Sequence, residues 1–284
     1  MIMNDKILVI GPWVGEFASE LFCWQGYMRK KVKEGNYKKV IVYGLEHNKY
    51  LYQDFCDEYI NFPYDRSLSC MQNLAHGQTV VLENSEKFQE IVKKYSNTDL
   101  YEFIISWKWW GHEQSEKSMA PYVQGDQMFI PLGKHNKTLE YDIVCHMRNR
   151  TTWGTERNWG LDNWKKLISL LNGKYKLACV GAGDDHCVEG VDDFRNCSLE
   201  EEANLLRSSK LLVGSLSGGV QFGMLCGIHI ITWYSTTNSL HHYKAFKENM
   251  NPFKNSNTCI STFNNIPMNP TYLCTMIEKK FKQL

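Results

Sequence analysis

The segment Lys210–Ser235, which reads KLLVGSLSGGVQFGMLCGIHIITWYS, contains the residues with the clearest chemical meaning. An apolar run ends in small residues, and a short helix-like stretch and a second apolar run follow. Ser217 is predicted to cap that helix, and the glycines after it allow a ligand to approach the backbone closely. A helix start presents N–H groups and partial positive charge, which suits a phosphate. The predicted phosphate contacts are Ser215, Ser217, Gly218, Gly219 and Gln221. The alternative is that this segment is only a tight turn between packed elements.

Three arginines follow another apolar run, Tyr141–Cys145, at close spacing. Arg148 and Arg150 alternate in phase from the predicted strand, and Arg157 comes soon after. Guanidinium groups bind phosphate oxygens with bidentate geometry, so these three side chains are predicted to clamp the phosphate oxygens of a ligand. The alternative is that the arginines pair at the surface with two nearby acids, Glu156 and Asp162.

Glycines also follow the apolar run Leu177–Val180. Gly181 and Gly183 would allow a base or ribose to approach closely. Together with Asp184, these glycines are predicted to line the nucleoside part of a phosphorylated ligand. The run Asp184-Asp185-His186 does not predict a metal site, because adjacent acids in a turn point in different directions. The chain has neither a GxGxxG nor a GxxxxGK[ST] pattern, which argues against a nicotinamide cofactor and excludes a P-loop.

The loop after the first apolar run, Lys6–Ile10, ends in Glu16. A carboxylate at a helix start is favoured in its ionised form and is a candidate general base. The alternative is an acid at the helix start with no chemical role. Glu20, one turn further, is a poorer candidate because it lies deeper in the helix. Trp13 and Gly15 of the same loop are predicted to lie on the acceptor side, next to the molecule that the Glu16 base would deprotonate.

Apolar runs and helix-like stretches alternate along most of the chain, which predicts parallel sheets covered on both faces. The fold class is therefore α/β, with two Rossmann-like parallel-sheet domains facing an interdomain cleft. A polar stretch, Gly111–Lys137, is the candidate connection. We predict domains at 1–135 and 136–266, and a tail helix in 267–284 that packs back on the first domain.

Several local patterns predict helices. Phe17, Leu21, Trp24, Met28 and Val32 form a helical apolar stripe, and Ser85–Lys94 is a second helix. Asp162 is predicted to cap a third helix, and Ser198 with Glu201 forms a capping box before a fourth. Apolar runs elsewhere predict strands, whereas the region 48–75 has no clear period. These further predicted strands are Lys39–Tyr43, Thr79–Leu82, the first part of Leu100–Trp110, and Ile228–Trp233.

The composition excludes several classes of protein. The chain has 284 residues, of which 43% are apolar and 22% charged, and its formal net charge is +1. Bulk charge therefore does not demand a polyanionic partner. No apolar run approaches the length that crosses a bilayer. Of the ten cysteines, four lie in apolar runs and no CxxC pair occurs, so we expect reduced thiols in a cytoplasmic protein. Those four are Cys23, Cys145, Cys179 and Cys226. The asparagine- and lysine-rich composition indicates a bacterium or a virus-infected cell as its source.

In the order of these motifs, residues 142–235 resemble the carboxyl-terminal domain of heptosyltransferase-like glycosyltransferases, which have the GT-B fold. The resemblance implies that Ser217 and Gly218 contact a donor diphosphate. Leu216 stands where that family has an acid and Gln221 where it has a histidine, so heptose is not the expected sugar. The pair His146 and Arg148 is also similar to a fucosyltransferase motif whose arginine meets the donor diphosphate.

The loop ending in Glu16 looks like the place where inverting members of this family have their catalytic acidic residue. The resemblance thus implies an inverting, metal-independent glycosyltransferase with no cofactor, a nucleotide-diphosphate sugar as donor, and a glycan or other hydroxyl acceptor. Three alternatives stay open: a sugar-nucleotide epimerase, a DNA-base glycosyltransferase, and a non-catalytic nucleotide-sugar-binding protein. The tryptophans Trp107, Trp109 and Trp110 could stack on a sugar or base, but core packing is the preferred interpretation.

Overall fold

The computed structural model describes residues 4–13, 17–63, 86–96, 100–104, 127–151, 154–234, 251–261 and 268–284. The chain divides into two compact units, Met1–Phe129 and Ile130–Leu284. This division lies close to the boundary predicted at residue 135. Each unit is built on its own parallel sheet, so the α/β prediction with two parallel-sheet domains is confirmed.

The first unit has a four-stranded sheet in the order β3-β2-β1-β4, with every adjacent pair parallel. Val9 and Ile41 of this sheet pack on Phe88, Ile91 and Tyr95 of a covering helix. The predicted strand Thr79–Leu82 and most of Leu100–Trp110, with its three tryptophans, lie outside the described residues. The strands are β1 (Asn4–Ile10), β2 (Tyr37–Gly44), β3 (Glu58–Asn61) and β4 (Tyr101–Ile104). The helical segments are Phe17–Ser19, the π-helix Glu20–Trp24, Gln25–Gly35, the 3₁₀ helix Glu46–Leu51, and Glu86–Tyr95.

The second unit has a six-stranded sheet in the order β10-β9-β8-β5-β6-β7, again parallel throughout. Its central strands are fully buried, as expected of continuous apolar runs covered on both faces. The strands are β5 (Ile143–His146), β6 (Leu177–Val180), β7 (Asp192–Asp193), β8 (Leu211–Ser215), β9 (His229–Tyr234) and β10 (Asn257–Ser261). The α-helices are Leu161–Leu171, Leu199–Ser208, Gly218–Cys226 and Pro270–Phe281, with 3₁₀ turns at Lys137–Leu139 and Thr155–Arg157.

The helix ends agree with the sequence in one case and differ in another. Ser198 and Glu201 form the predicted capping box at the start of the helix Leu199–Ser208. The prediction that Asp162 caps a helix is wrong: Gly160 is the N-cap residue, and Asp162 lies in the first turn. Its carboxylate still lies at the helix end where the dipole favours negative charge, which is why the residue suggested a cap.

The tail helix Pro270–Phe281 belongs to the second unit. Asn269 caps it by accepting hydrogen bonds from the amides of Thr271 and Tyr272. Leu273 and Ile277 lie in the core of that unit, beside three packed tryptophans. Those tryptophans are Trp159, Trp164 and Trp233. Among the residues described, no helix is long and apolar enough to cross a membrane.

Candidate functional site

The order of the second sheet creates a switch point between β5 and β8. The chain passes from β5 to β6 and β7 on one side, and then crosses to β8 on the other side of β5. In open parallel sheets the loops at such a point diverge and leave a crevice beyond the strand ends, where ligands bind. His146 at the end of β5 is in register with Gly214 of β8. The arginine loop and the Ser217 turn therefore leave the sheet side by side.

The His146 side chain lies between the loops that follow β5, β6 and β8. Its Nδ1 lies 3.3 Å from Ser217 Oγ, and its Nε2 lies 3.9 Å from Asp185 Oδ2. A Cβ on Gly219 would lie 2.6 Å from Nε2, so only glycine allows the helix start to approach the ring. Burial lowers the pKa of His146 to about 4. The ring is therefore neutral at pH 7 and is a core histidine.

The start of the helix Gly218–Cys226 differs from the prediction in one contact. Ser217 is the N-cap residue, but its side chain makes no capping hydrogen bond, because Oγ pairs with His146 instead. The predicted side-chain cap is therefore wrong. Gln221 N donates to Ser217 O over 2.9 Å, while no residue in the described part of the chain accepts from the Gly218 or Gly219 amide. The first turn thus keeps donors available for an anion.

Arg148 is buried in the loop that follows β5. Its Nη1 donates to Gly154 O over 2.7 Å and to Asn158 Oδ1 over 2.5 Å, so the guanidinium is held in one orientation. Burial lowers the pKa of Arg148 to about 10, and the Arg157 and Arg150 guanidiniums add to the effect. The three predicted arginines are thus close enough to repel one another, which is the electrostatic situation that a bound anion relieves.

Arg157 connects the arginine loop to the Ser217 turn. Its Nη1 donates to Leu216 O over 3.3 Å. Its Nε is buried, and no described residue accepts a hydrogen bond from it. The nearest carboxylate oxygen, on the Glu156 side chain, lies 3.7 Å away, which is too long for a hydrogen bond. The alternative interpretation, surface pairing with Glu156, therefore holds for Arg157 only as a loose contact, and a buried donor is left for another acceptor.

Arg150 is the most exposed of the three arginines. Its Nη1 lies 3.8 Å from Asp184 Oδ1, and about half of each side chain is exposed, at 46% and 56%. Exposed pairs of this length contribute little to stability. Arg150 is therefore able to turn toward a ligand, but the structure does not hold it in place as it does Arg148.

Asn158 is a site residue that the sequence analysis did not single out. Its Oδ1 accepts from Arg148 Nη1 and from the Arg150 amide, at 2.5 and 3.0 Å. Its Nδ2 donates to Arg150 O over 2.7 Å. One amide side chain thus fixes both the Arg148 guanidinium and the backbone of the loop. The signal in the sequence was its place in the triplet Arg157-Asn158-Trp159, just before the helix Leu161–Leu171.

The Gly181 loop is organised by the buried Asp185. Asp185 Oδ2 accepts from the Ala182 amide over 2.9 Å, and Oδ1 accepts from the Asn149 amide over 2.7 Å. The carboxylate therefore joins this loop to the arginine loop. Asp184 is exposed beside Arg150, and Gly183 packs loosely near Asn196. The nucleoside-side role of Gly181, Gly183 and Asp184 stays a prediction.

We expect Gly181→Ala to destabilise the second unit by about 2–4 kcal/mol. Gly181 has φ +135°, which side chains rarely adopt, and an added Cβ would lie 2.3 Å from Asp185 Oδ2. The matched control is Gly183→Ala, whose Cβ would lie 3.8 Å from Asn196 and should change stability by less than about 0.5 kcal/mol. Urea unfolding monitored by tryptophan fluorescence measures both. Equal midpoints for the two variants would contradict the strained geometry at Gly181.

A second prediction concerns pH. Since the folded pKa of His146 is about 4 against an ordinary value near 6.5, the folded state binds fewer protons between these values. Stability should therefore fall by about 3 kcal/mol as the pH falls from 6.5 to 4. Burial raises the pKa of Glu202 to about 7, which contributes a slope of opposite sign. The readout is thus the difference between the wild-type and His146→Gln stability profiles, and a difference independent of pH would contradict the shift.

In the first unit, Trp13 is buried and its ring centroid lies 5.6 Å from that of Trp24. Its predicted acceptor-side role stays a prediction. Gly15 and Glu16 lie outside the described residues. Glu20 is buried in the π-helix and accepts hydrogen bonds from Asn48 Nδ2 and Tyr52 Oη, at 2.6 and 2.7 Å.

Comparison with solved structures gives the class of fold. The ADP-heptose LPS heptosyltransferase II of E. coli superposes with a TM-score of 0.63 at 11% identity, over 98% of this chain and 99% of that one. A family 9 glycosyl transferase from Veillonella parvula gives 0.59 at 11% identity, over 100% and 91%. A putative UDP-N-acetylglucosamine 2-epimerase from Listeria monocytogenes gives 0.50 at 13% identity, over 98% and 88%. No protein-family model and no curated protein sequence matches the chain.

These similarities show that the chain has the GT-B fold of glycosyltransferases, as the sequence predicted. At such low identity they establish the fold alone, and the epimerase shares it. The fold therefore does not decide the activity, which depends on the residues at the switch point.

Proposed function

We propose that the chain is a glycosyltransferase that moves a sugar from a nucleotide-diphosphate donor to an acceptor hydroxyl in glycan or glycoconjugate synthesis. The observation that carries the proposal is the cationic cluster at the switch point of the second sheet. Buried Arg148, the buried Nε of Arg157 and the amides at the start of the helix Gly218–Cys226 all lie around the ends of β5 and β8. Such donors suit a pyrophosphate.

In this proposal the charges of the leaving nucleotide diphosphate are stabilised by the protein itself, so no metal is required. Arg148 and Arg157 neutralise the diphosphate, and Arg150 turns in from the surface. The Gly218 and Gly219 amides donate to its oxygens, with Ser215, Ser217 and Gln221 shaping the turn. Preorganised donors aimed at developing charge are usually the largest contribution to catalysis. Gly181, Gly183 and Asp184 line the nucleoside.

Glu16 is the proposed general base that deprotonates the acceptor, with Trp13 and Gly15 on the acceptor side. Direct attack by the activated hydroxyl inverts the anomeric centre. The placement is supported by the topology of the first sheet: β1 lies between β2 and β4, so the loop that follows β1 leaves at the switch point of that sheet.

The sugar is not expected to be heptose, although the E. coli neighbour is an ADP-heptose enzyme. Leu216 is buried and offers only its carbonyl, which accepts from Arg157. The acidic side chain that the resemblance associates with donor-sugar contact is therefore replaced by an apolar one. We propose a different hexosyl or pentosyl donor, and a cytoplasmic location where nucleotide sugars are made.

A thermal-shift screen against ADP-, UDP-, GDP- and dTDP-sugars tests the proposal. A true donor at saturation should stabilise the protein by about 2–4 kcal/mol. Incubation of that donor with glycan acceptors should then release the nucleotide. No stabilisation by any nucleotide sugar would overturn the proposal.

The epimerase alternative is supported by the Listeria neighbour with the same fold. An epimerase converts the donor by itself, so NMR of donor plus enzyme without acceptor separates the two functions. An isomer would identify an epimerase. Donor binding with neither isomer nor transfer would identify a binding protein, and salt-sensitive binding to duplex DNA would direct the acceptor search to DNA bases.

A further inference from the structure

Two thiols of the second unit, Cys179 and Cys187, lie in contact. Cys179 Sγ, in β6, is 3.1 Å from Cys187 Sγ, in the loop that follows this strand. Cys179 is fully buried and Cys187 is half-buried, and both are free thiols. Asp193 Oδ1 lies 3.5 Å from Cys179 Sγ, so the three side chains have the composition of a small metal site.

The surroundings of Asp193 argue against a metal. Its Oδ1 accepts from Arg195 Nε over 2.9 Å, and its Oδ2 accepts from Arg195 Nη2 over 2.7 Å. This pairing holds the pKa of the Asp193 carboxyl well below its usual range. A divalent cation would have to displace a guanidinium from its third ligand and then lie beside that positive charge. The thiol pair is therefore better suited to oxidation than to metal binding.

We propose that Cys179 and Cys187 form a reversible dithiol–disulfide pair that is oxidised by hydroperoxides. The sulfur atoms need to approach by only about 1 Å to reach a disulfide bond length, so little backbone movement is required. The bond would tie the loop 181–186 to β6. That loop includes the Gly181–Asp185 turn, but the proposal does not depend on any role of the turn in donor binding.

The chemistry proceeds in two steps. Hydrogen peroxide transfers one oxygen atom to the sulfur of half-buried Cys187, the less buried of the two thiols, giving a sulfenic acid and one water. The Cys179 sulfur then attacks that sulfur, the S–S bond forms, the S–O bond breaks, and the leaving hydroxide takes the Cys179 proton as a second water. Two thiols thus lose two electrons and two protons, and one peroxide becomes two waters. A small thiol reverses the reaction by exchange.

The sequence provides a clean assay. Trypsin cleavage after Lys176 and after Arg195 releases 177–195, which contains Cys179 and Cys187 and no other cysteine. The intact protein is treated with peroxide, unfolded in N-ethylmaleimide, digested and analysed by mass spectrometry. The expected peptide is two hydrogens lighter and unlabelled, and it becomes doubly labelled after prior reduction. Buried Cys226 should stay reduced and labelled throughout.

Two conservative variants define the order of the steps. Cys179→Ser should accumulate a Cys187 sulfenic acid that reacts with dimedone, whereas Cys187→Ser should leave Cys179 reduced. Melting temperatures near wild type confirm that both variants fold. A doubly labelled 177–195 peptide after peroxide would overturn the proposal. A bound zinc ion would overturn it as well. The observation would be that a mercurial releases one zinc per untreated protein chain, and that neither variant retains zinc.

Discussion

Replacing Arg148 with alanine is expected to weaken donor binding by about 2–4 kcal/mol, or roughly 30- to 1,000-fold. Arg148 is buried, and its guanidinium is held by Gly154 O and Asn158 Oδ1 before any ligand arrives. A preorganised guanidinium binds an anion without the entropy loss that a free side chain would suffer. Isothermal titration with the donor found in the thermal-shift screen measures the loss.

The stability of the free protein should change much less than its donor affinity. Burial, together with the Arg157 and Arg150 guanidiniums, already lowers the pKa of Arg148 to about 10. Alanine relieves this desolvation and repulsion but loses the hydrogen bonds to Gly154 O and Asn158 Oδ1, so the two effects oppose each other. Urea unfolding of the free variant therefore separates a lost ligand contact from a damaged fold.

Arg150→Ala and Arg148→Lys are the matched variants. Arg150 is exposed and only loosely paired with Asp184, so its removal should cost less than about 1 kcal/mol of donor affinity. Lysine at position 148 keeps the charge but loses the planar fork, and its donor affinity should fall between wild type and alanine. Unchanged donor affinity in Arg148→Ala would remove this residue from the proposed site.

The central strands of both sheets could be placed from the sequence because they are buried on both faces. Continuous apolar runs at Leu177–Val180 and Leu211–Val213 mark such strands, and β6 and β8 contain them. Two of the edge strands, β3 and β7, gave no such signal. β3 has exposed residues at both ends and two half-buried residues between them, and β7 is the exposed pair Asp192–Asp193. A strand that pairs on one side needs no apolar run, so its sequence resembles a loop.

The site could be predicted where residue type decides the chemistry. Arginines and glycines at strand ends marked the loops that the parallel sheet brings together. The contacts within the site could not be predicted, because they depend on tertiary neighbours. Ser217 has the residue type of a helix cap, yet the approach of His146 redirects its hydroxyl. Asn158 is a site residue because its side-chain amide contacts both the Arg148 guanidinium and the Arg150 backbone, and these contacts depend on the folded loop.

The π-helix in the first unit shows the same limit. A stripe with helical spacing predicted one buried face, but Leu21, Phe22, Cys23 and Trp24 are all buried. Five consecutive buried residues cover almost a full helical turn, so this segment is enclosed on every side, and no local propensity reports its π-helical geometry. Glu20 is buried in the same segment and accepts hydrogen bonds from Asn48 and Tyr52, which lie far along the chain.

Glu16→Gln is expected to reduce the transfer rate by about 10²–10⁴-fold, the usual contribution of a general base. Glutamine has nearly the same shape and can still accept a hydrogen bond, but it does not take up a proton at neutral pH. Donor affinity should stay near wild type, because the proposed diphosphate contacts all belong to the second unit. The measurements are single-turnover transfer at saturating donor and isothermal titration of the same preparation.

Glu20→Gln is the matched control, since it makes the same change four residues further along the chain. The Glu20 carboxylate accepts from Asn48 Nδ2 and Tyr52 Oη, and it is buried at 3% exposure. A glutamine amide would place one of its own N–H groups opposite one of these two donors, so the variant should be less stable. The molecules that remain folded should keep their transfer activity. Full transfer in Glu16→Gln would exclude Glu16 as the base. A loss of transfer in Glu20→Gln without a loss of stability would assign that role to the buried carboxylate instead.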